Sequence, residues 1–240
     1  MAHVGAAVLP QLAAGRVRSL HRWPVKSMGG ERVDALRIDV RGADGDRAHA
    51  VFDEFKGAPR RLTVRQAPRL LQWHAVYDDM GTLVVTAPDG TRFGWEDPAL
   101  PGALAEDLGR PVTLRHDPAL MQDLPESLLV TFVASHEAVE RELGPLDPLR
   151  WRTNVWIEAD AEAFAETGWE GATLQIGDAR LQLLHPCERC VIPTRDPQTS
   201  AKFPELLRWL FARRDGLFGI NARALGPGRI AEGDAVAVYA

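Results

Sequence analysis

Cysteine is scarce in this chain, with two in 240 residues. That excludes a disulfide framework and any zinc knuckle, which needs four Cys or His ligands at short spacing, and it suits a reducing compartment. A basic excess is lacking too. The formal net charge is −5, whereas general nucleic-acid binders are usually basic, so no nucleic-acid partner is expected and any anion site has to be local. No window approaches the roughly 18 uninterrupted apolar residues of a membrane span. The apolar run at residues 5–14 has no basic segment before it and is interrupted by Pro10, which argues against a signal peptide. These absences point to a cytoplasmic protein with a short lead-in and no membrane partner. Internal repeats and low-complexity stretches are missing as well, and the 45% hydrophobic and 25% charged content is that of an ordinary globular chain.

What is present is a concentration of both cysteines in residues 185–200, HPCERCVIPTRDPQTS. Cys187 and Cys190 follow a strand-like run at residues 181–184 and are framed by Pro186 and Pro193. A C-x-x-C pair can be a dithiol redox couple, but such pairs normally open a helix, and Pro193 breaks any helix within a turn of Cys190. A nucleophilic thiol needs a base, which sequence does not place. A third reading is a soft-metal ligand: a thiolate favoured by Arg189 and Arg195, bound to a transition metal whose other ligands come from a cofactor. The plain alternative is two half-buried thiols or a local disulfide. Spacing alone leaves all of these open.

Along the chain, residues 16–116 read as short strands between turn signals. Residues 33–40 alternate, residues 41–47 form a turn dense in Gly and Asp, and residues 71–77 carry the period of a half-buried strand. Pro88-Asp89-Gly90 marks a hairpin between residues 82–87 and 91–95. One helix is expected over residues 98–108, stopped by Gly109. The second half mixes types. Residues 128–133 form a strand, Ser135 caps a helix to Leu143, and a hairpin over residues 173–184 delivers the chain to the cysteines. Residues 205–213 form an amphipathic helix with Leu206, Leu207, Leu210 and Phe211 on one face, and residues 235–239 close as a strand. Many short strands and few helices imply a β-rich α+β fold with barrel-like architecture. The weak break near residues 116–124 suggests a smaller N-terminal β domain over residues 1–116 and a second domain over 117–240.

Seven short patterns stand in one order: Trp23-Pro24-Val25-Lys26-Ser27; Gly45-Asp46-Arg47; Thr63-Val64-Arg65 with Pro68 and Leu70; Arg152-x-Asn154; Arg189-Cys190; Thr194-x-Asp196-Pro197-x-Thr199; and Phe218-Gly219-x-Asn221. In this the chain resembles the MOSC family, named for the C-terminal domain of molybdenum-cofactor sulfurase, together with its usual N-terminal β-barrel-like partner. The resemblance spans nearly the whole chain and implies a molybdenum cofactor (molybdopterin) site like that of the amidoxime-reducing proteins.

In that site the cysteine matching Cys190 is the metal ligand and the catalytic residue. Lys26, Ser27, Arg47, Arg152 and Asn154 match the cofactor contacts. Their chemistry agrees: cations suit a phosphate, Ser27 adds a hydroxyl and an N–H, and Asn154 suits a pterin edge. Asp46 and Asp196 read as turn residues rather than catalysts. The chain departs from the pattern at Thr153, where relatives often have Pro, at Cys187, an additional thiol, and at Ser200, where Gly is common. Since the sequence stops after its terminal strand, the C-terminal iron–sulfur domain of some bacterial relatives is not expected. The implied activity is reduction of small N-hydroxylated or N-oxide compounds by oxygen-atom transfer, with electrons from an external donor protein, a flavin or iron–sulfur reductase. The alternative is a non-catalytic carrier of cofactor or sulfur.

Overall fold

The structure, a computed structural model, describes residues 10–116 and 128–240. The lead-in up to residue 9 lies outside them, as does the expected boundary near residues 116–124 apart from His116. The first half holds β1 (Gln11–Arg22), β2 (Glu31–Val33), β3 (Ala35–Asp39), β4 (Gly42–Ala43), β5 (His49–Phe55), β6 (Ala58–Arg61), β7 (His74–Tyr77), β8 (Leu83–Thr86), β9 (Arg92–Gly94), α1 (Leu100–Leu108) and β10 (Thr113–His116). The second holds β11 (Leu128–Phe132), α2 (Val133–Leu143), β12 (Val155–Ala159), β13 (Thr173–Ile176), β14 (Ala179–Glu188), α3 (Pro204–Arg214), β15 (Leu217–Ala224), β16 (Gly228–Ala231) and β17 (Ala235–Tyr239). No described helix is long and apolar enough to cross a membrane.

Seven strands close into a barrel in the order β1-β12-β11-β15-β14-β13-β17, with β17 and β12 both pairing β1. β1 comes from the first half of the chain, and the other six staves come from residues 128–239. Segments 1–116 and 117–240 therefore share one barrel. β11 and β12 run parallel, which requires the crossover that α2 supplies. Inside, Val17, Leu20, Val130, Ile157, Leu174, Leu181, Ile220 and Val238 are buried in a single cluster. A bulge between Val17 and Ser19 changes the parity of β1, so that Val17 and Leu20 both face the core. Burying one such side chain stabilises the fold by about 1.5–3 kcal/mol, and closure leaves no free sheet edge in the barrel.

β2 extends the large sheet beside β1, β3 and β4 pair with β16, and the other strands of the first half build two small sheets, β10-β5-β6 and β7-β8-β9. With α1 they enclose a second core around Met28, Val51, Leu62, Trp73, Trp95 and Leu104. A third cluster, with Trp151 stacked on Phe218 at 3.6 Å, packs α2 and α3 against the barrel wall. The fold is thus β-rich, with a barrel and a smaller N-terminal β unit.

Four local expectations give way. Residues 71–77 do not form one strand: Pro68 starts a 3-10 turn over Pro68–Gln72 in which the adjacent Leu70 and Leu71 are both buried, and β7 begins only at His74. Ser135 is not a cap but lies inside α2. Its hydroxyl donates to Glu166 at 2.9 Å and accepts from the Phe164 N–H at 2.8 Å, so tertiary contacts consume it. On α3, Leu206 and Leu210 are buried while Phe211 remains 53% exposed. β14 continues past Pro186 to Glu188 through two register shifts against β15, which puts Cys187 on a strand rather than in a loop.

Gly15 marks the tightest seam of the barrel. A Cβ there would fall 2.1 Å from the Glu158 carbonyl oxygen on β12. Gly15→Val should force β1 from β12 and lower stability by about 1–3 kcal/mol or more, read as a lower denaturant midpoint.

The second core also holds a pH-sensitive group. His49 stacks on His116 at 4.1 Å and meets the Trp95 edge at 4.7 Å. Burial first, and His116 second, lower its pKa to about 4. The unfolded chain protonates this ring near its ordinary value of 6.5, so between the two values it binds more protons than the folded chain. This contribution is complete above about pH 6.5 and is lost as pH falls toward 4. Acid titration of the unfolding free energy should show that loss, and His49→Gln should flatten it.

Candidate functional site

The turn after β1 is built by an exchange of backbone bonds. The Lys26 N–H donates to the His49 carbonyl at 2.9 Å, the Arg47 N–H donates to the Trp23 carbonyl at 2.7 Å, and the Trp23 N–H donates to the Asp46 carboxylate at 2.7 Å. Residues 23–28 and 45–49 are thereby locked together. The Arg47 guanidinium pairs with Asp46 and crosses to the second half of the chain, donating to Asn154 Oδ1 at 3.2 Å and to the Arg152 carbonyl at 3.0 Å. Arg152 donates through Nη1 to the Met28 carbonyl at 2.7 Å and lies over the Trp23 ring at 4.2 Å. At the far wall, the Arg189 N–H donates to the Gly216 carbonyl at 2.8 Å, and its guanidinium reaches the Trp151 carbonyl at 2.7 Å and Cys187 Sγ at 3.4 Å.

Together these segments enclose a cavity of about 450 Å³, within the range of small-molecule and cofactor sites. Lys26, Ser27, Arg47, Arg152 and Cys190 all line it. Asn154 does not. It is fully buried, and its amide is spent on the protein: Oδ1 accepts from the Leu129 N–H at 3.1 Å as well as from Arg47, and Nδ2 donates to the His21 carbonyl at 3.2 Å. Its part is to orient Arg47. Among the lining residues that motif reading did not assign to a ligand are Arg65, Cys187, Arg189 and Asn221. The signal for Arg189 was its position beside Cys190; for Cys187 it was the paired spacing. Both cysteines are free thiols, Cys190 exposed and Cys187 half-buried.

The electrostatics are one-sided. Burial, then Arg47, Arg152 and Arg61, depress the Lys26 pKa to about 7, with Cys190 opposing. Burial, then Arg47, lowers Arg152 to about 9, with Asp46 and Cys190 opposing. Two donors of the lining are buried without a protein partner, Ser27 Oγ and Arg189 Nε. Buried polar groups are normally hydrogen-bonded, so these atoms and the surplus of cations suit an anionic ligand rich in acceptors.

Backbone strain converges here too. Ser27, Arg47 and Arg152 have φ of 70°, 52° and 53°, and Ser200, on the loop after Cys190, has 60°. Left-handed backbone costs a non-glycine residue about 1–3 kcal/mol and gathers at functional sites. Ser200 carries that strain where a glycine would relieve it, and its hydroxyl donates to the Pro68 carbonyl at 3.2 Å. Asp196 organises the same loop, accepting from the Gln198 and Thr199 N–H groups at 3.1 and 2.9 Å and from Arg150 at 3.0 Å. Among the described residues no three His, Cys, Asp or Glu side chains gather as metal ligands. A metal held by Cys190 takes its other ligands from a bound group.

Removing the Asn154 side chain tests the scaffold. Asn154→Ala leaves the Leu129 N–H and the His21 carbonyl without side-chain partners and frees Arg47, so stability should fall by about 1–3 kcal/mol, read from equilibrium unfolding.

Comparison with known proteins gives two family matches: a MOSC N-terminal beta barrel domain over residues 14–98 and a MOSC domain over residues 123–237. The molybdenum cofactor sulfurase of Bos taurus is 35% identical over 83 residues, which are 34% of this chain and only 9% of that protein's length. The crystal structure of the YUAD protein from Bacillus subtilis superposes with a TM-score of 0.51 at 14% identity, covering 97% of this chain and 99% of that one. That likeness concerns the fold.

Proposed function

The chain belongs to the MOSC family, and from that membership we propose that its cavity binds the molybdenum cofactor and that the protein reduces N-hydroxylated or N-oxide compounds by oxygen-atom transfer. The observation that carries the reading is the meeting of Cys190 with Lys26, Ser27, Arg47 and Arg152 around one cavity whose buried donors lack partners. Molybdopterin offers what those donors need: a phosphate and a heterocycle edge rich in acceptors.

When bound, the cofactor supplies two-electron oxygen-transfer chemistry, and the protein binds, orients and tunes it. Cys190 is the protein's ligand to the metal. Arg47 and Arg152 present planar forks suited to phosphate, and Lys26 adds a compact charge. Ser27 Oγ and Arg189 Nε donate to the same ligand. The Asp46–Arg47–Asn154 network holds the cations in place before the ligand arrives, so little ordering is left for binding. Thr63, Arg65 and Glu188 line the same cavity. Electrons come from a separate flavin or iron–sulfur donor protein.

Protein made in a cofactor-producing host should carry close to one molybdenum and one pterin per chain. With a chemical reductant under anaerobic conditions it should convert benzamidoxime to benzamidine, and Cys190→Ser should abolish turnover while the circular dichroism and unfolding midpoint stay as in the parent. Full activity in Cys190→Ser would refute the ligand role. Stoichiometric cofactor without product would instead assign the protein as a carrier.

A further inference from the structure

A second, smaller cavity of about 130 Å³ shares Arg152 and Ile192 with the lining of the cysteine site. Six basic side chains line it, His21, Arg32, His74, Arg150, Arg152 and Arg195, and no carboxylate does. Arg150 and Arg152 are 9% and 7% exposed, and each keeps a buried N–H without a protein partner, Arg150 Nε and Arg152 Nη2. Their other contacts are made. Arg150 donates to the Pro193 carbonyl at 3.2 Å and to Asp196 at 3.0 Å, and Arg152 to the Met28 carbonyl at 2.7 Å. Arg32 reaches Glu232 at 2.6 Å. The carboxylates that answer this cluster, Asp196 and Glu232, thus both stand outside the cavity lining.

Two further groups favour an anion. His21 and His74 are kept neutral by burial, His21 with a pKa of about 4, and a neutral imidazole offers one N–H donor without adding charge. Water could meet the stranded N–H groups but would bring no charge to Arg152, whereas Arg150 and Arg32 already pair with Asp196 and Glu232. An oxyanion does both, through charge-assisted bonds. We propose that this cavity binds a small tetrahedral oxyanion, phosphate or sulfate, held by Arg150, Arg152 and Arg195 with the His21 and His74 rings as further donors.

The position gives such an ion a role. Its lining comes from the Gly29-Gly30 turn, the Leu149–Arg152 segment and the Ile192–Pro197 segment. These adjoin, in turn, Lys26 and Ser27, Arg152, and Cys190. An ion at their junction ties together the three segments that shape the cysteine cavity without entering it, and its negative charge offsets the burial of Arg152.

The test uses the full chain and NMR titration of the His21 and His74 rings with inorganic phosphate and with sulfate at constant ionic strength, so that binding is read at this cavity alone and any phosphate taken up by the cysteine cavity does not contribute. Both anions should bind and raise the His21 pKa. Arg150→Met should weaken binding about tenfold or more, the loss of one charge-assisted bond. Leu149→Phe, which fills the cavity and leaves every cation in place, should abolish binding, and it carries the test if Arg150→Met does not fold. Lys26→Met, in the cysteine cavity, should leave binding unchanged. Absence of uptake, uptake retained by Leu149→Phe, or uptake lost in Lys26→Met each overturns the proposal.

Discussion

Arg47 joins parts of the chain that the sequence keeps 107 residues apart. One guanidinium pairs with the buried Asp46, reaches Asn154 and caps the Arg152 carbonyl. It acts together with Arg152, which donates to the Met28 carbonyl, and Asn154, which donates to the His21 carbonyl, in tying the Lys26 turn to the Arg152 turn. The bond is costly to leave half-made, because an unpaired buried charge is far worse than a paired one. That asymmetry makes the clamp an all-or-none feature of the folded state.

Around the clamp the molecule concentrates what a stable protein elsewhere avoids. Buried cations crowd one another, three lining residues adopt left-handed backbone, and donors go without partners. The stability for this comes from the closed barrel and the two flanking clusters, whose apolar side chains are almost wholly shielded from water. Rigid support and strained site are complementary: a preorganised set of cations binds an anion without first having to be assembled. The two cavities that share Arg152 extend this logic, since one arginine lines both.

Much of the candidate site was legible as motif. Lys26, Ser27, Arg47, Arg152 and Cys190 stand in recognisable short patterns, and each reaches the same cavity. Asn154 stands in one of those patterns as well, yet its amide faces backbone. Residue type announces hydrogen-bonding capacity but not which groups consume it. Arg189 is the converse, a residue whose neighbour drew attention while its own unpartnered Nε lines the wall. Ser135 and the 71–77 run misled for one reason: local propensity for a cap or a strand is worth about a kilocalorie, and tertiary contacts with Glu166 and the second core outweigh it.

By itself the sequence determined the β-rich class, the hairpins at Pro88-Asp89-Gly90 and Gly177-Asp178, the stop at Gly109 and the identity of the chemical groups, because turn residues and alternation act over a few bonds. Only the tertiary structure decided that β1 leaves its own half to close a barrel with β12 and β17, that β14 runs on past Pro186, and which cations share a cavity. Those outcomes depend on pairings between residues distant in the chain, from about thirty positions for β14 with β15 to more than a hundred for β1 with β12 and β17. There the free energy is set by which surfaces fit once the whole chain is compact, and no local pattern carries that information.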